Sequence, residues 1–448
     1  MNTLQAGFSR VNVTPMLGIS VSGYFVSRKA QTILDELEVN CLALSCGETK
    51  VLLMSVDNLG IKQQVLTPVR QKISEATGVP ADAVYIHCTH THTGPAMYPN
   101  PKTPLEQEYQ QMLCRKLEDA AVLALADRKP ARMGIGVGQA PNIAFVRRFR
   151  MKDGSVQTNP GVDNPNILAP IGDVDERVNV LRFDREDDTL VLMNFGCHPD
   201  TVGGCRISAD WPGFARSNLE QAIPGVKSLF FNGAQGDVNH VSVHPRGGDL
   251  NDLENDFDDV TRGYGHARHM GRVVAGAVLQ VFDKVQYMDV DRLAFAQKTV
   301  QVPSNMPAAD EIEEAHRLAD LHNSGRDDLI PYSGMMLTTV VAEALRRVRL
   351  ENGPEAFEMP MSAIAIGNVA MIGLPGEPFT GIGRGLKLAE GWDLVLPSCN
   401  TNAAEGYFPM MDAYDEGGYE ARSSNYKAGV AEFLIREGSE LLASLREK

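Results

Sequence analysis

The sequence predicts a mixed α/β or α+β fold in which layered sheets are flanked by helices. Strand-like apolar runs and amphipathic helical runs follow one another without strict alternation, and this mixture is typical of layered mixed sheets. No internal repeat, low-complexity block or linker-like stretch divides the 448 residues. We therefore expect one domain spanning residues 1–448.

Three consecutive segments near the start of the chain indicate a β-α-β unit. Thr49–Val56 is an apolar run, and residues 83–88 form a second one. Between them, Thr67 and Pro68 are typical of the N-cap and first position of a helix that stops at Gly78.

Further elements follow in the rest of the chain. A long helix begins with the capping-box pattern of Thr103, Pro104 and Glu106. Two strand pairs predict hairpins, one with a polar turn and one whose apolar runs meet at Gly367-Asn368. The predicted elements are strands over 177–183 and 189–195, a helix over 213–223, a strand over 227–231, a hairpin over 359–374 and a C-terminal helix over 427–446.

Composition narrows the classes of partner. A net charge of −15 argues against nucleic acid, because phosphate binding needs clustered lysine and arginine. No stretch is long and apolar enough to span a bilayer, and the N-terminus lacks a basic segment followed by an apolar one. Seven scattered cysteines without a CxxC pair argue against a structural zinc knot or redox motif. We expect a cytoplasmic protein that acts on a small molecule without a membrane partner, and a homo-oligomer is left open.

Four loops that follow probable strands carry reactive groups. The first contains His90 and His92 in the run THTHTGP, and the others contain His198, Glu377 and Tyr407. Two imidazoles and a carboxylate are common ligands of catalytic zinc, which turns water into a nucleophile at neutral pH. If strand geometry continues through the first loop, both its histidines point to the same side, one toward a metal and the other toward a substrate.

Each of these residues also has a structural explanation. A strand-end histidine is most often a hydrogen-bonded structural residue, and Glu377 could cap the helix that starts near Thr380. Tyr407 could be a core ring with a bonded hydroxyl group. The candidates are hundreds of residues apart, so their spacing alone leaves these explanations open.

A series of short motifs extends over nearly the whole chain. They are Val13-Thr14-Pro15, Gly23-Tyr24, His90-Thr91-His92-Thr93-Gly94-Pro95, Cys197-His198-Pro199, Ser208-Ala209-Asp210 with Gly213, Gly236-Asp237-Val238, Gly376-Glu377, and Tyr407 with Tyr419-Glu420. In this order they resemble the motifs of the neutral/alkaline, non-lysosomal ceramidase family, whose members are zinc-dependent amidases that cleave N-acyl sphingosine. The resemblance implies the layered catalytic-domain fold of that family, with a metal site at the strand-end loops.

The resemblance also implies roles for individual residues. The implied metal ligands are His90, His198, Glu377 and Tyr407. His92 and Tyr419 would stand around the scissile carbonyl group, polarise it and stabilise the oxyanion. Independently of the resemblance, we expect Asp237, counted among the catalytic candidates with Asn239, and Asp210 to orient the metal ligands without binding the metal themselves.

One position departs from the family in a way that affects the reaction. Asn239, followed by His240, stands where the family has the serine of its GDVSPN motif. An amide cannot attack a carbonyl as an alkoxide does, so we expect attack by metal-activated water or a substrate that is not an amide. Asn239 can still donate a hydrogen bond to a carbonyl or a sugar hydroxyl. We also expect neither an export signal nor the family's C-terminal β-domain, which argues against ceramide as the substrate.

Other segments are candidates for substrate binding. Arg147 and Arg148 lie in a strongly basic stretch of an acidic protein and could bind a carboxylate or phosphate, although a strand face paired with surface acids is equally expected. His240 is a further substrate-binding candidate, beside the acidic stretch 249–259, which we expect to be a solvated loop because it lacks calcium-loop spacing. Helical stretches within residues 306–350 are expected to form a lid.

Three functions are consistent with the sequence. The leading hypothesis is a zinc-dependent hydrolase of an amide or related acyl bond in a soluble, polar or anionic small molecule, with one zinc ion per chain. The same ligands would accept Mn²⁺ or Fe²⁺. The alternative is a metal-dependent lyase or isomerase acting on a sugar or hydroxy acid. A non-catalytic ligand-binding homologue is the third hypothesis, and the presence of His92 and Tyr419 argues against it.

Overall fold

Three sheets and their flanking helices form the architecture, as a computed structural model describes it for residues 3–245 and 262–447. The first sheet has five strands and the second has five, whereas the third has four. The largest buried cluster joins apolar side chains of all three sheets, such as Leu53, Phe231 and Met371. The predicted mixed α/β class is therefore confirmed.

The first sheet is built from N-terminal strands and is covered by two helices. Its strands, in spatial order, are Val84–Cys88, Thr49–Val56, Glu38–Cys46, Gln5–Asn12 and Lys129–Pro130. The helices are Gln63–Thr77 and Pro104–Ala126, and the second has the predicted capping box. Only the first two strands of this order run parallel, because the helix Gln63–Thr77 connects them.

The second and third sheets repeat this plan. The second contains Val226–Asn232, Thr189–Phe195, Arg177–Asp184, Arg132–Gln139 and Gln286–Met288, and the third contains Leu293–Pro303, Ala356–Ile366, Val369–Gly373 and Leu394–Ser398. Helices Asp210–Ala222 and Tyr264–Val281 pack on the second sheet, and Thr380–Lys387 and Val430–Arg446 pack on the third. Each sheet again has one parallel pair, joined through a helix.

The three parallel pairs explain where the candidate residues lie. His90 follows the strand Val84–Cys88, His198 follows Thr189–Phe195, and Glu377 follows Val369–Gly373. Each of these strands belongs to the β-α-β unit of a different sheet. In such units the carboxyl ends of the parallel strands are the edge at which ligand-binding loops collect.

The remaining elements are short strands and peripheral helices. The short strands are Ser20–Val21, Arg28–Lys29, Thr32–Ile33, Phe145–Val146, Arg148–Met151, Val156–Thr158, Ile167–Pro170, Arg206–Ile207, Val238–Asn239, Glu377–Pro378 and Tyr407–Phe408. The peripheral α-helices are Ile312–Asn323, Gly334–Leu350, Met411–Glu416 and Tyr419–Ser423. Single 3₁₀ turns lie at Ala81–Ala83, Phe282–Lys284, Ala309–Glu311 and Asp327–Leu329.

Most predicted elements are present, but the helix predicted from Gly213 begins at Asp210, and the first helix begins earlier than predicted by a wider margin. It starts at Gln63 instead of Pro68, and it ends as predicted at Gly78, which adopts the left-handed φ of 71°. Pro68 lies inside the helix and cannot donate to the carbonyl of Gln64. Both residues are on the exposed side, where water can take the place of the missing donor.

The two helices predicted to form a lid pack against each other. Apolar residues of Ile312–Asn323 and Gly334–Leu350 share a small buried cluster of their own. The second helix also contacts the short helix Tyr419–Ser423. Their role as a lid stays a prediction. The acidic stretch 249–259 lies outside the described residues.

Among residues 3–245 and 262–447, no helix combines the length and the apolar character needed to cross a membrane.

A buried histidine ties the first sheet to its neighbours and makes stability depend on pH. His87 Nε2 accepts a hydrogen bond from the Asn232 amide at 2.9 Å, and its Nδ1 lies 2.7 Å from the Cys399 carbonyl oxygen. Burial lowers the pKa of His87 to about 3. An unfolded histidine titrates near 6.5, so the stabilisation is complete above that pH and is lost as the pH falls toward the folded-state pKa.

We expect protonation of His87 in the unfolded chain to lower the free energy of unfolding by about 2 kcal/mol as the pH falls from about 7 to about 5. Urea unfolding of the wild-type chain and of His87→Gln at both pH values measures the difference. The variant starts from lower stability, but its further loss between the two pH values should be smaller by about that amount. Equal losses in the two proteins would contradict the assignment.

Candidate metal centre

The loop after the strand Val84–Cys88 brings His90 and His92 together, but not by strand alternation. His90 has a left-handed φ of 78°, so the extended backbone ends before it. Its amide donates to the Asn58 carbonyl at 2.8 Å, and that of His92 donates to Pro199 at 3.0 Å. The ring centroids are 5.0 Å apart and nearly perpendicular. The turn, rather than the predicted strand pleat, therefore places both rings on one site.

Two of the three histidines are fixed in orientation by backbone carbonyls. His90 Nδ1 lies 2.6 Å from the Leu59 oxygen, and His198 Nδ1 lies 2.8 Å from the Gln235 oxygen. A carbonyl oxygen can only accept, so in both rings Nδ1 carries the proton and Nε2 keeps its lone pair. This second-sphere bond is the usual support of a metal-ligating histidine.

Glu377 lies between these two lone pairs. Its Oε2 is 3.2 Å from His90 Nε2 and 3.1 Å from His198 Nε2. Burial opposes ionisation of Glu377, but the charge and hydrogen bonds of the two imidazoles, when they are protonated, outweigh it and hold the pKa of Glu377 well below its usual value. The residue belongs to the short strand Glu377–Pro378, which pairs in parallel with Tyr407–Phe408.

This pairing brings Tyr407 to the same point. Its hydroxyl oxygen lies 3.4 Å from His198 Nε2. Burial and the charge of Glu377 raise the pKa of Tyr407 well above 10, whereas the Arg147 guanidinium, 5.3 Å from the ring centroid, opposes this shift. The four residues implied as ligands thus lie together, although they come from different loops.

The donor atoms fit a metal ion. His90 Nε2 and both ring nitrogens of His92 are buried without a hydrogen-bond partner among the described residues. Buried polar atoms are rarely left unsatisfied in native proteins. One ligand atom each from His90, His92 and His198 lies within 4.8 Å of the others. This buried group, with the Glu377 carboxylate beside it, could hold a metal ion.

His92 differs from the other two histidines in its surroundings. Neither of its ring nitrogens has a backbone acceptor, and Nδ1 lies 3.7 Å from the Asp200 carboxylate. Burial lowers the pKa of His92 to about 3, against the opposing charge of Asp200. The loop at Gly23 and Tyr24 covers the ring, and a Cβ at position 23 would lie 2.8 Å from His92 Nδ1. Glycine is needed here also because its φ is 111°.

Tyr419 and Arg147 complete the inner wall of the site. The Tyr419 ring lies edge-on to Tyr407 with centroids 5.6 Å apart. Arg147 Nη1 is 3.5 Å from His198 Nε2, whereas its Nε pairs with the buried Glu420 at 2.6 Å. Its charge is therefore held in place by a carboxylate that does not face the pocket.

Arg148, the first residue of the short strand Arg148–Met151, points elsewhere. Its guanidinium bonds Glu416 at 3.0 Å and the Gly417 carbonyl at 3.1 Å. The structure brings only the first of the two candidate arginines to the metal centre.

The Asp237–His240 segment lies beside His198, whose amide donates to the Val238 carbonyl at 3.3 Å, and none of its residues lines the pocket at the histidines. Asp237 accepts from the amide and the hydroxyl of Thr380 at 2.7 and 2.9 Å, which anchors the chain just after Glu377. Both polar atoms of the Asn239 side chain are hydrogen-bonded, because Nδ2 donates to Asn159 Oδ1 at 2.9 Å and Oδ1 accepts from the Val241 amide at 3.0 Å. His240 is 2% exposed, and its ring nitrogens have no hydrogen-bond partner among the described residues.

Asp210 supports the loop that carries His198. Its carboxylate accepts from the amides of Thr201, Val202 and Trp211 at 2.9, 2.8 and 2.6 Å. Burial raises the pKa of Asp210 to about 7.

Sequence reasoning missed Asp200, which links several parts of the site. Its carboxylate bonds the Tyr24 hydroxyl and lies 3.0 Å from Arg262 Nη2, in addition to its approach to His92. The available signal was a carboxylate two residues after His198 in the run CHPD. It is not apparent from the sequence that this carboxylate faces the histidine of a loop more than one hundred residues earlier.

A pocket of about 610 Å³ opens from this centre to the surface. Its floor contains His90, His92 and Glu377, and Tyr407 and Tyr419 form one wall. The segment from Ser20 to Lys29 forms the opposite side. This volume is in the range usual for sites that bind small molecules.

Comparison with known proteins supports the fold. No family model and no curated protein sequence matches the chain. Among solved structures, neutral ceramidase from Pseudomonas aeruginosa is similar with a TM-score of 0.75 and 17% identity, covering 100% of this chain and 75% of that one. A structure described as "Ceramidase complexed with C2" has a TM-score of 0.72 and 16% identity, covering 100% of this chain and 76% of that one. The chain therefore has a ceramidase-like catalytic-domain fold, with a buried group of histidines that could hold a metal ion.

Proposed function

We propose that the protein is a zinc-dependent hydrolase of an amide or related acyl bond in a small polar or anionic molecule. The observation that carries this proposal is the convergence of two imidazole lone pairs and one carboxylate on a buried point. His90 and His198 each direct Nε2 there because a backbone carbonyl holds Nδ1, and the Glu377 carboxylate lies 3.2 and 3.1 Å from these atoms. The ceramidase-like fold supports a hydrolase.

Each side chain of the centre has a separate task in this proposal. His90, His198, Glu377 and Tyr407 are the proposed ligands. Bound zinc would supply a Lewis acid that activates water and polarises the acyl oxygen. His92 and Tyr419 stand beside the ligands and donate hydrogen bonds to the oxygen on which negative charge develops. Arg147 lies against His198 and Tyr407 and stabilises negative charge in their vicinity.

The surroundings of Asn239 favour attack by water over attack by a side chain. Its amide has no nucleophilic oxygen comparable to an alkoxide. Both of its polar atoms are also bonded to Asn159 and Val241, so the side chain is held by hydrogen bonds within the protein. The proposed reaction therefore has no covalent acyl-enzyme stage.

Hydrolysis with oxygen-18 water tests the proposal. The purified protein should contain about one zinc ion per chain, measured by elemental mass spectrometry. With a panel of N-acyl compounds and sugar acids, each acyl compound that is hydrolysed should give a carboxylate that carries one labelled oxygen from solvent in a single turnover. A sugar or hydroxy-acid product that forms without uptake of the label would instead establish the lyase or isomerase alternative. Protein without bound metal that hydrolyses the panel at an undiminished rate would exclude the zinc mechanism.

A further inference from the structure

The mouth of the pocket has an excess of positive charge. Lys29 and Lys102 both line it, and both are exposed to solvent. The Glu106 carboxylate also lines the pocket. Its Oε1 is 3.8 Å from Lys29 Nζ, and its Oε2 accepts a hydrogen bond from the Lys102 backbone amide at 2.8 Å. Lys29 therefore has a carboxylate nearby, whereas the bond from Lys102 to Glu106 involves its backbone amide and not its ammonium group.

That carboxylate is already occupied by groups of its own chain. Besides the amide of Lys102, it accepts from the Ser20 hydroxyl and from the Thr103 amide, as part of the capping box of the helix Pro104–Ala126. These bonds lower the pKa of Glu106, although burial opposes the shift. The hydrogen bonds that Glu106 accepts join the Ser20 loop to the helix, and they leave few free lone pairs on its oxygens for the lysine ammonium groups.

Lys102 has no carboxylate within 4.0 Å among the described residues. Its Nζ instead lies 5.6 Å from the centroid of the Tyr98 ring, which also lines the pocket. An exposed ammonium group beside an aromatic ring and a pocket can reorient toward a ligand at small cost. Lys29 is anchored more firmly, with Nζ 2.7 Å from the Ser20 hydroxyl oxygen.

The other cations near the centre are committed to the protein. Arg28 donates to the carbonyls of Gly204 and His92 at 2.7 and 2.8 Å, and Arg147 pairs with Glu420. Of the cations that line the pocket, Lys102 is therefore the one whose charged group has no carboxylate or carbonyl partner among the described residues, and Lys29 shares the Glu106 carboxylate with other donors. In a chain with a net charge of −15, a local positive field at the mouth of a pocket attracts anions selectively.

We infer that Lys102 and Lys29 form an anion subsite, which binds a carboxylate or phosphate group on the end of the substrate away from the scissile bond. This inference rests on the proposed hydrolase function and specifies its substrate class. An acyl compound with a terminal anion would place its acyl group at the histidines and its charge at the lysines. The exposed Phe25 and Val26, which line the same mouth, supply apolar contact for the part between.

Matched substrates separate the subsite from the chemistry. Three N-acyl amines of equal length should be compared, one ending in a carboxylate, one in a phosphate ester and one in a neutral carboxamide. The double variant Lys29→Gln/Lys102→Gln should lower the kcat/KM ratio of anionic to neutral substrate by roughly 10-fold or more, mainly through KM. The exposed Lys72→Gln removes one positive charge outside the pocket and should leave the ratio as in wild type. The anion with the larger ratio in wild type identifies the subsite's ligand.

A binding measurement keeps the inference testable if hydrolysis fails. Titration calorimetry of the zinc-loaded protein with inorganic phosphate and with acetate should show weaker binding to the double variant than to wild type or Lys72→Gln. An unchanged ratio of kcat/KM values, or equal anion affinity in all three proteins, would overturn the subsite. Absence of hydrolysis with preserved, lysine-dependent anion binding would overturn the proposed reaction alone.

Discussion

Replacement of His198 by alanine is expected to remove the bound metal and abolish hydrolysis. The imidazole is 1% exposed, and its Nδ1 is held by the Gln235 and Val238 carbonyls at 2.8 and 3.1 Å. Loss of a group that only supports a ligand lowers metal affinity by roughly 10-fold to 100-fold, so loss of the ligand itself should exceed that range. Metal content after gel filtration, together with the zinc dissociation constant, measures the effect.

His316→Ala is the matched control for this variant. His316 is an exposed histidine that pairs with Glu351 at 2.9 Å, on a helix that does not line the pocket. It should keep both the metal and the activity. If His198→Ala folds, as shown by its circular dichroism, and still binds zinc as wild type does, the ligand assignment is wrong.

Replacement of His92 by glutamine is expected to leave the metal in place and to lower kcat by roughly 10²-fold to 10⁴-fold. The structure motivates this contrast because His90 and His198 have a backbone acceptor for Nδ1, whereas His92 has none. The nearest carboxylate to His92 Nδ1, that of Asp200, is 3.7 Å away and beyond hydrogen-bonding distance, so this ring is held less rigidly than the other two and suits hydrogen bonding to a reacting group. Zinc content and single-turnover kinetics of the same preparation distinguish the two roles.

A large loss of zinc in His92→Gln would make this residue a third imidazole ligand. The proximity of its nitrogens to those of His90 and His198, within 4.8 Å, makes this a real alternative. Tyr419→Phe is the companion variant, because it removes only a hydroxyl group from the wall. It should keep its metal and lose roughly 10²-fold to 10³-fold in kcat, as the loss of one oxyanion donor does.

Local elements could be predicted from the sequence because each depends on nearby residues. The capping box at Thr103 and Glu106, and the hairpin turn at Gly367 with its φ of 56°, are fixed by contacts within a few positions. The start of the first helix was wrong because Pro68 is tolerated inside it, on an exposed face where water satisfies the freed carbonyl. Propensity rules cannot show which side of a helix will face solvent.

The site itself could be proposed only through the resemblance of its motifs. His90, His198 and Glu377 come from three sheets, and no periodicity in the sequence relates them. The choice between Arg147 and Arg148 depends on which side chain the fold directs toward the centre, and that is a tertiary property. Lys29 and Lys102 belong to no recognisable sequence motif, and they are candidates for substrate binding only because they line the pocket.

The supply of one proposed ligand by each of three β-α-β units has a consequence for folding. The units lie more than one hundred residues apart along the chain, so bringing them together requires closure of long loops. A partly folded chain in which one sheet has yet to dock has an incomplete set of ligands and should bind metal weakly. Metal affinity would then be linked to global stability, and high-affinity zinc uptake during refolding would report the docking of the last sheet.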